Sequence, residues 1–133
     1  MIKRKSMSNL DILNTATALI EAFQSEEAKN QQFPVKVNFF LQKNMNSLIE
    51  MARDIEKTRS DIITKYGEPS PDNDEQYIVP DDKIEEAAKE LNDLFTLEQE
   101  VAVNMLKLDW FDGIDMTAQQ VAAITYMIED EEE

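Results

Sequence analysis

The sequence predicts a mainly α-helical fold with a minor β component, α+β only in part: an elongated domain around one long central helix at about 34–66, with a short hairpin or strand pair. Three observations predict it. Between Pro34 and Tyr66, the apolar residues Val37, Leu41, Met45, Leu48, Ala52, Ile55, Ile62 and Tyr66 recur at helical steps, the spacing that lines one face of an α-helix. At about 1.5 Å per residue such a helix runs on the order of 45–50 Å, whereas a compact domain of this length has a radius of gyration of about 14 Å. Shorter stripes with helix-start signals flank it, and extended, β-branched patterns occur only in brief runs.

In chain order, Met1–Met7 has three basic residues and no apolar periodicity, so residues 1–7 are expected to be a flexible basic arm, with Met7 as an alternative start to Met1. Ser8 and Asp11 form an N-terminal capping pair before Leu10, Leu13, Ala16, Leu19, Ile20 and Phe23, which predicts a first helix over 9–24. Residues 25–33 form a polar connection, and Pro34 suits the first turn of the next helix because a missing N–H is harmless there. Residues 35–39 also alternate apolar and polar with β-branched side chains, so a short strand competes with the helix start. Gly67 fits the left-handed position after a helix end.

Residues 68–80 combine prolines, Asp and Asn before Tyr77-Ile78-Val79, which predicts a turn and a short extended segment in an exposed loop. Asp81 or Asp82 is the expected cap of a third helix over 82–96, with Ile84, Ala87, Ala88, Leu91, Leu94 and Phe95 as its buried stripe. In Glu100–Asp109 a period of two shifts face, so residues 100–108 read as a bulged strand with helix as the rival. Asp112-Gly113 marks a turn, and Thr117 with Gln120 is a capping-box pattern opening a helix over 117–128. Residues 8–128 are expected to form a single domain, and the like-charged residues 129–133 a disordered acidic tail.

Composition excludes more chemistry than it suggests. The 133 residues include no His and no Cys. That removes the commonest general base near neutral pH, serine triads built on histidine, thiolate nucleophiles and most zinc sites. The two glycines form no phosphate-cradling loop, and no apolar run is long enough for a membrane span or a secretory signal. The net charge of −15 is segregated: residues 1–67 hold 10 basic and 8 acidic side chains (net +2), and residues 68–133 hold 3 and 20 (net −17). A surface this acidic repels nucleic-acid phosphates and anionic membranes, which leaves a protein as the expected partner.

Candidate sites are few. Asp72 set at position 1 of an EF-hand puts Tyr77 where glycine is needed and Lys83 where the bidentate Glu belongs, so that motif fails. Asp109, Asp112 and Asp115 around Gly113 read first as turn and cap residues, and only then as a weak hard-cation site. Asp82, Glu86, Glu90 and Asp93 fall on one flank of the third helix at three- and four-residue steps, either a solvated face or a rail that imitates a phosphate backbone. Trp110-Phe111 is either an exposed partner anchor or the closure of a small core. Met45, Met51, Met105, Met116 and Met127 read as core filling, with an adaptable groove as the alternative. The partner-binding candidates are therefore Asp82, Glu86, Glu90, Asp93, Trp110 and Phe111; no catalytic, cofactor-binding or metal-ligating residue is assigned, and no cofactor is expected.

The string Ile62-Ile63-Thr64-Lys65-Tyr66-Gly67-Glu68 closes the long helix, and an acidic gap precedes Tyr77-Ile78-Val79. After these come Glu90-Leu91-Asn92-Asp93-Leu94, Glu100-Val101, Met116-Thr117-Ala118-Gln119-Gln120 and Met127-Ile128. Together they resemble an uncharacterised family of small proteins from tailed bacteriophages of Gram-positive bacteria, over roughly residues 9–128. The basic Met1–Ser6 arm departs from it. The resemblance implies a phage accessory or morphogenesis protein in the host bacterial cytoplasm or on the virion, with no catalytic residues to carry over. The expected function is non-catalytic binding of a phage structural protein or a host protein. The alternative is an acidic nucleic-acid-mimicking inhibitor of a host defence or nucleic-acid-binding protein. The stripe of 34–66 also permits a homo-oligomeric seam, without the heptads or flanking charge pairs that would require one.

Overall fold

The computed structural model describes residues 1–26, 28 and 31–129, with backbone alone at 73–75. It is mainly α with minor β, and its centre is the long helix. The order is β1 (Ile2–Ser8), α1 (Asn9–Phe23), α2 (Val35–Tyr66), β2 (Glu68–Ser70), β3 (Asn73–Ile78), α3 (Ile84–Thr96), β4 (Glu98–Asn104) and α4 (Ala118–Ile124). Short 3₁₀ turns lie at Asp81–Lys83, Leu108–Phe111 and Thr125–Met127.

The ends of α1 and α2 follow local chemistry. Ser8 Oγ accepts the Asp11 N–H at 3.1 Å, satisfying one of the donors a helix start leaves orphaned. Pro34 caps α2 and its carbonyl accepts the Asn38 N–H, so residues 35–39 are helical rather than extended. Leu13, Ala16 and Ile20 of α1 line one groove with Ile49, Ala52 and Glu56 of α2, while Phe23 meets Phe33 at the other end, so the chain doubles back on itself. The stripe of α2 buries Val37, Leu41, Met45 and Leu48 in its first half but only Ile55 and Ile62 beyond.

Residues 1–7 are a correction. The expected free arm is part of strand β1, antiparallel to β4 in a register running from Ile2 opposite Asn104 to Ser8 opposite Glu98. Lys3, Lys5 and Met7 share a face with Val103, Val101 and Gln99, of which the two valines are buried. The hydrophobic pattern sits on β4, and β1 needs only to pair with it. Asn44 of α2 closes the far edge of β4: its Nδ2 donates to the Asn104 carbonyl at 2.9 Å and its Oδ1 accepts the Asn104 N–H at 2.8 Å.

Four further expectations are revised. Gly67 is extended (φ −97°, ψ 172°), not left-handed; a Cβ there would lie 2.6 Å from the Ile63 carbonyl oxygen of α2, 3.2 Å from Tyr77 Cβ and 3.3 Å from the Ile78 carbonyl oxygen, so glycine serves a close approach between the helix end and the β2–β3 hairpin. Neither Asp81 nor Asp82 caps α3 with its side chain; both lie in the 3₁₀ turn, whose Lys83 N–H is taken by the Pro80 carbonyl. Of the stripe expected in α3, Ala87 alone is buried, and Ile84 is 48% exposed. Residues 68–80 keep the expected turn, at 71–72, and the extended segment, but that segment pairs with Glu68–Ser70 in the hairpin and is not part of a loop.

Downstream, β4 ends at Asn104 and the chain passes into the Leu108–Phe111 turn. Gly113 takes φ 80°, as the Asp-Gly turn requires. The capping box is formed: Gln120 N–H donates to Thr117 Oγ1 and Thr117 N–H to Gln120 Oε1, both at 3.1 Å. The helix it opens is shorter than expected, giving way to a 3₁₀ turn after Ile124. Buried Gln120 also donates to the Ala22 carbonyl at 3.0 Å, tying α4 to the end of α1. Glu129, expected in the tail, donates its N–H to Leu106; residues 130–133 of that tail and residues 27, 29 and 30 of the 25–33 connection lie outside the described residues.

Candidate functional site

The acidic flank is assembled in part. Asp82 lies in the 3₁₀ turn before α3, and Glu86, Glu90 and Asp93 lie on the helix itself. Asp82, Glu86 and Asp93 are exposed, whereas Glu90 is half-buried and bound to the end of α2. Lys65 Nζ donates to Glu90 Oε2 at 3.0 Å, and the Tyr66 hydroxyl makes a short hydrogen bond to the same oxygen. Lys65 Nζ also stands 5.0 Å from the centre of the Tyr66 ring. Glu90 thus pins α3 to α2.

The electrostatics of that pin have a sign. The Tyr66 hydrogen bond, with the Lys65 bond second, holds the Glu90 carboxyl below its ordinary 4.5. The same bond to Glu90 raises Lys65 above 10.5 and Tyr66 above 10.0, burial adding to the tyrosine shift. Because the folded carboxyl binds its proton less tightly than the unfolded one, its stabilisation is complete above the ordinary value and fades as pH falls through the lowered one. The contributions of Lys65 and Tyr66 are complete below their ordinary values and fade as pH rises through the raised ones. The Tm difference between wild type and Glu90→Gln is therefore expected to be flat near neutral pH and to close as pH falls below the ordinary carboxylate value and through the lowered one. A difference that persists unchanged at lower pH would show that Glu90 acts through shape rather than charge.

Trp110 and Phe111 part company. Phe111 is buried in the core, as the core-closing alternative for this pair has it and not as an exposed partner anchor, while Trp110 keeps part of its surface. Trp110 stacks on Phe40, with centroids 6.3 Å apart and planes 22° from parallel, and Phe40 meets Phe39 edge-on at 5.3 Å. Lys36 Nζ stands 4.4 Å from the centre of the Trp110 ring, and Lys43 Nζ 5.3 Å from that of Phe39. Val35 is 87% exposed and Phe39 55%. The first turns of α2 and the Leu108–Phe111 turn therefore join in one aromatic surface flanked by two ammonium groups. Sequence reasoning missed Phe39, Phe40, Lys36 and Lys43. Their signal is the pair of four-residue steps, Lys36 to Phe40 and Phe39 to Lys43, which puts each cation over the neighbourhood of a ring.

The remaining candidates have structural places. Among the described residues no group of three or more Asp and Glu side chains is placed to hold a metal ion; Asp109 lies in the Leu108–Phe111 turn, Asp112 in the turn that follows it, and Asp115 in irregular chain before α4. Met45, Met105 and Met127 are buried, and Met51 and Met116 pack against the same core. An apolar pocket of about 430 Å³ is lined by Leu108, Ile114, Met116, Val121 and Ile128, with Phe111 among its walls. Among the described residues no helix is long and apolar enough to cross a membrane. Compared with protein-family models, curated proteins and solved structures, the chain matches none.

Proposed function

We propose that the chain is a non-catalytic, protein-binding accessory factor of phage assembly, acting in the host bacterial cytoplasm or on the virion. The observation that carries the binding part is the exposed surface of Val35 and Phe39 with Phe40 and Trp110 behind it and Lys36 and Lys43 beside it. Rigid aromatics beside cations supply large contact area at low side-chain entropy, the profile of interface anchors. Val35, Lys36, Phe39, Phe40 and Lys43 of this surface belong to the part of the sequence that carries net +2, and Trp110 alone comes from the acidic part, so two ammonium groups flank the rings. The phage setting is supported by the family resemblance of the helix-end and turn motifs.

A second function keeps one supporting observation: Asp82, Glu86 and Asp93 are exposed along α3 and could imitate a phosphate backbone before a host defence protein. Glu90 is committed internally and weakens that rail. Affinity capture from phage-infected cells, eluted at low and high salt, separates the two. The proposed function expects phage head or tail proteins that survive high salt and are reduced about thirtyfold or more by Phe39→Ala, the scale of a hot-spot truncation. A host nuclease or polymerase released by salt and displaced by DNA would overturn it in favour of mimicry.

A further inference from the structure

We infer that the outer edge of β1 is a docking strand for an extended acidic segment of a partner protein. The direction of its backbone groups follows from two hydrogen bonds that bracket the ladder. Met105 N–H donates to the Met1 carbonyl and Asn9 N–H to the Leu97 carbonyl, each continuing the uniform register of β1 and β4 by one step. In an antiparallel pair, opposed residues alternate between those that exchange hydrogen bonds and those that do not. The odd-numbered residues of β1 therefore bond to β4, and the N–H and C=O groups of Ile2, Arg4 and Ser6 point away from it.

Asn104 on β4 checks the parity: as an even-numbered residue it must point outward, and it does, into the side chain of Asn44. Past that point the edge of β4 is also taken, since Leu106 N–H donates to Met127 and Leu106 accepts from Glu129. No strand among the described residues pairs the outer edge of β1. Ile2, Lys3, Arg4 and Ser6 are exposed, with Ile2 63% accessible. The Asn104 end of β4 is covered, its remaining outward positions include Glu98 and Glu100, whose charge repels an acidic strand, and β1 offers the open basic edge that strand addition uses.

Charge selects the occupant. Lys3 and Lys5 project on one face of β1 and Arg4 on the other, within a chain of net charge −15. A second copy pairing antiparallel about Arg4 would set Arg4 against Arg4 and Lys3 against Lys5, and like charges directly opposite are destabilising. A segment with three consecutive carboxylates meets both faces. The groups it must contend with are Glu100, which lies 3.6 Å from Arg4, and Glu98, which accepts from Ser6 Oγ; Lys5 donates to the Tyr126 carbonyl. The Arg4–Glu100 pair is largely solvated, so an incoming carboxylate can share Arg4 at little cost.

The proposal rests on the protein-binding function above, and its test is independent of it. The probe is the capped peptide Thr-Val-Glu-Glu-Glu-Val-Thr, which reads alike in either direction, titrated at low salt into the purified chain and followed by amide NMR and hydrogen exchange. The expected result is binding that slows exchange at Arg4 and Ser6 at least tenfold, with no binding of the same peptide carrying lysines for glutamates. Ser6→Pro removes an outward N–H that β4 does not use and leaves the charge intact, so it should weaken binding about tenfold or more. A peptide N-methylated at alternate residues, added to the unaltered chain, should lose as much without any change to the protein. Equal binding by the N-methylated peptide, or by the lysine peptide, or unchanged exchange at Arg4 and Ser6 at saturation, overturns the proposal. So does a Ser6→Pro change in oligomeric state with peptide binding untouched, which would give the edge to a second copy. Failure here with the captured phage protein intact removes the strand edge alone; failure of the capture with peptide binding intact removes the assembly setting alone.

Discussion

Asn44→Ala is expected to lower the free energy of unfolding by about 2–4 kcal/mol, seen as a lower denaturant midpoint with an unchanged slope. Asn44 is 2% exposed and lies in the apolar stripe of α2, between Leu41 and Leu48. Its amide holds both backbone groups of Asn104, at 2.9 and 2.8 Å, and touches Met127 Sδ at 3.3 Å. Truncation orphans an N–H and a C=O on β4 where no strand replaces it, and an unsatisfied buried group costs about 1–3 kcal/mol. Asn104 itself is half-buried, so water recovers part of that loss and the total stays below the sum for two fully enclosed groups. Asn44→Leu separates hydrogen bonding from volume. It fills the site with apolar atoms and still leaves Asn104 unpaired, so it should be destabilised to a similar degree. A leucine variant as stable as wild type would mean that packing, not the amide, is what the position supplies.

That residue also shows what kind of information the sequence holds. The helices were legible because their causes are local: the Ser8 cap, the Thr117–Gln120 box and the three- and four-residue spacing in 9–23 and 35–66 need no knowledge of the rest of the chain. β1 was not legible, because Lys3, Arg4 and Lys5 carry no apolar alternation and become a strand only beside β4, some hundred residues away. Gly67 was placed at a helix end correctly and given the wrong cause, since the close approach of Tyr77 Cβ and the Ile78 carbonyl, 3.2 and 3.3 Å from where its Cβ would lie, is a tertiary fact. Of the candidate site residues, Asp82, Glu86 and Asp93 were placed on the surface by periodicity alone. The internal use of Glu90 depends on where α2 ends relative to α3, and the aromatic surface depends on Trp110 reaching Phe40 across 70 positions of sequence. Asn44 had a readable signal, a lone amide inside an apolar stripe, which a buried helix face tolerates only when something bonds it.

Leu48→Ala is expected to have the largest effect on stability, about 2–5 kcal/mol, and to lower the single unfolding transition of the chain. Leu48 has no exposed surface and belongs to the continuous core that also holds Ile12, Leu19, Val101 and Ile124, from α1, β4 and α4. A void there removes contacts from every layer at once, and a packed core relaxes only partly around it. Ile62→Ala supplies the contrast within the same helix. Ile62 is 9% exposed and lies outside that cluster, on the half of α2 where α3 and the β2–β3 hairpin provide the cover. Its removal should therefore act as local opening: faster amide exchange over roughly residues 56–66 and along the hairpin, with the global midpoint moving by less than half the Leu48 shift. Equal loss at both positions would mean that α2 folds as one cooperative rod along its whole length. Unequal loss would mean that the Lys65–Tyr66–Glu90 pin secures a separately opening end, one that can move without disturbing β1 or the Phe39–Trp110 surface at the other end of α2.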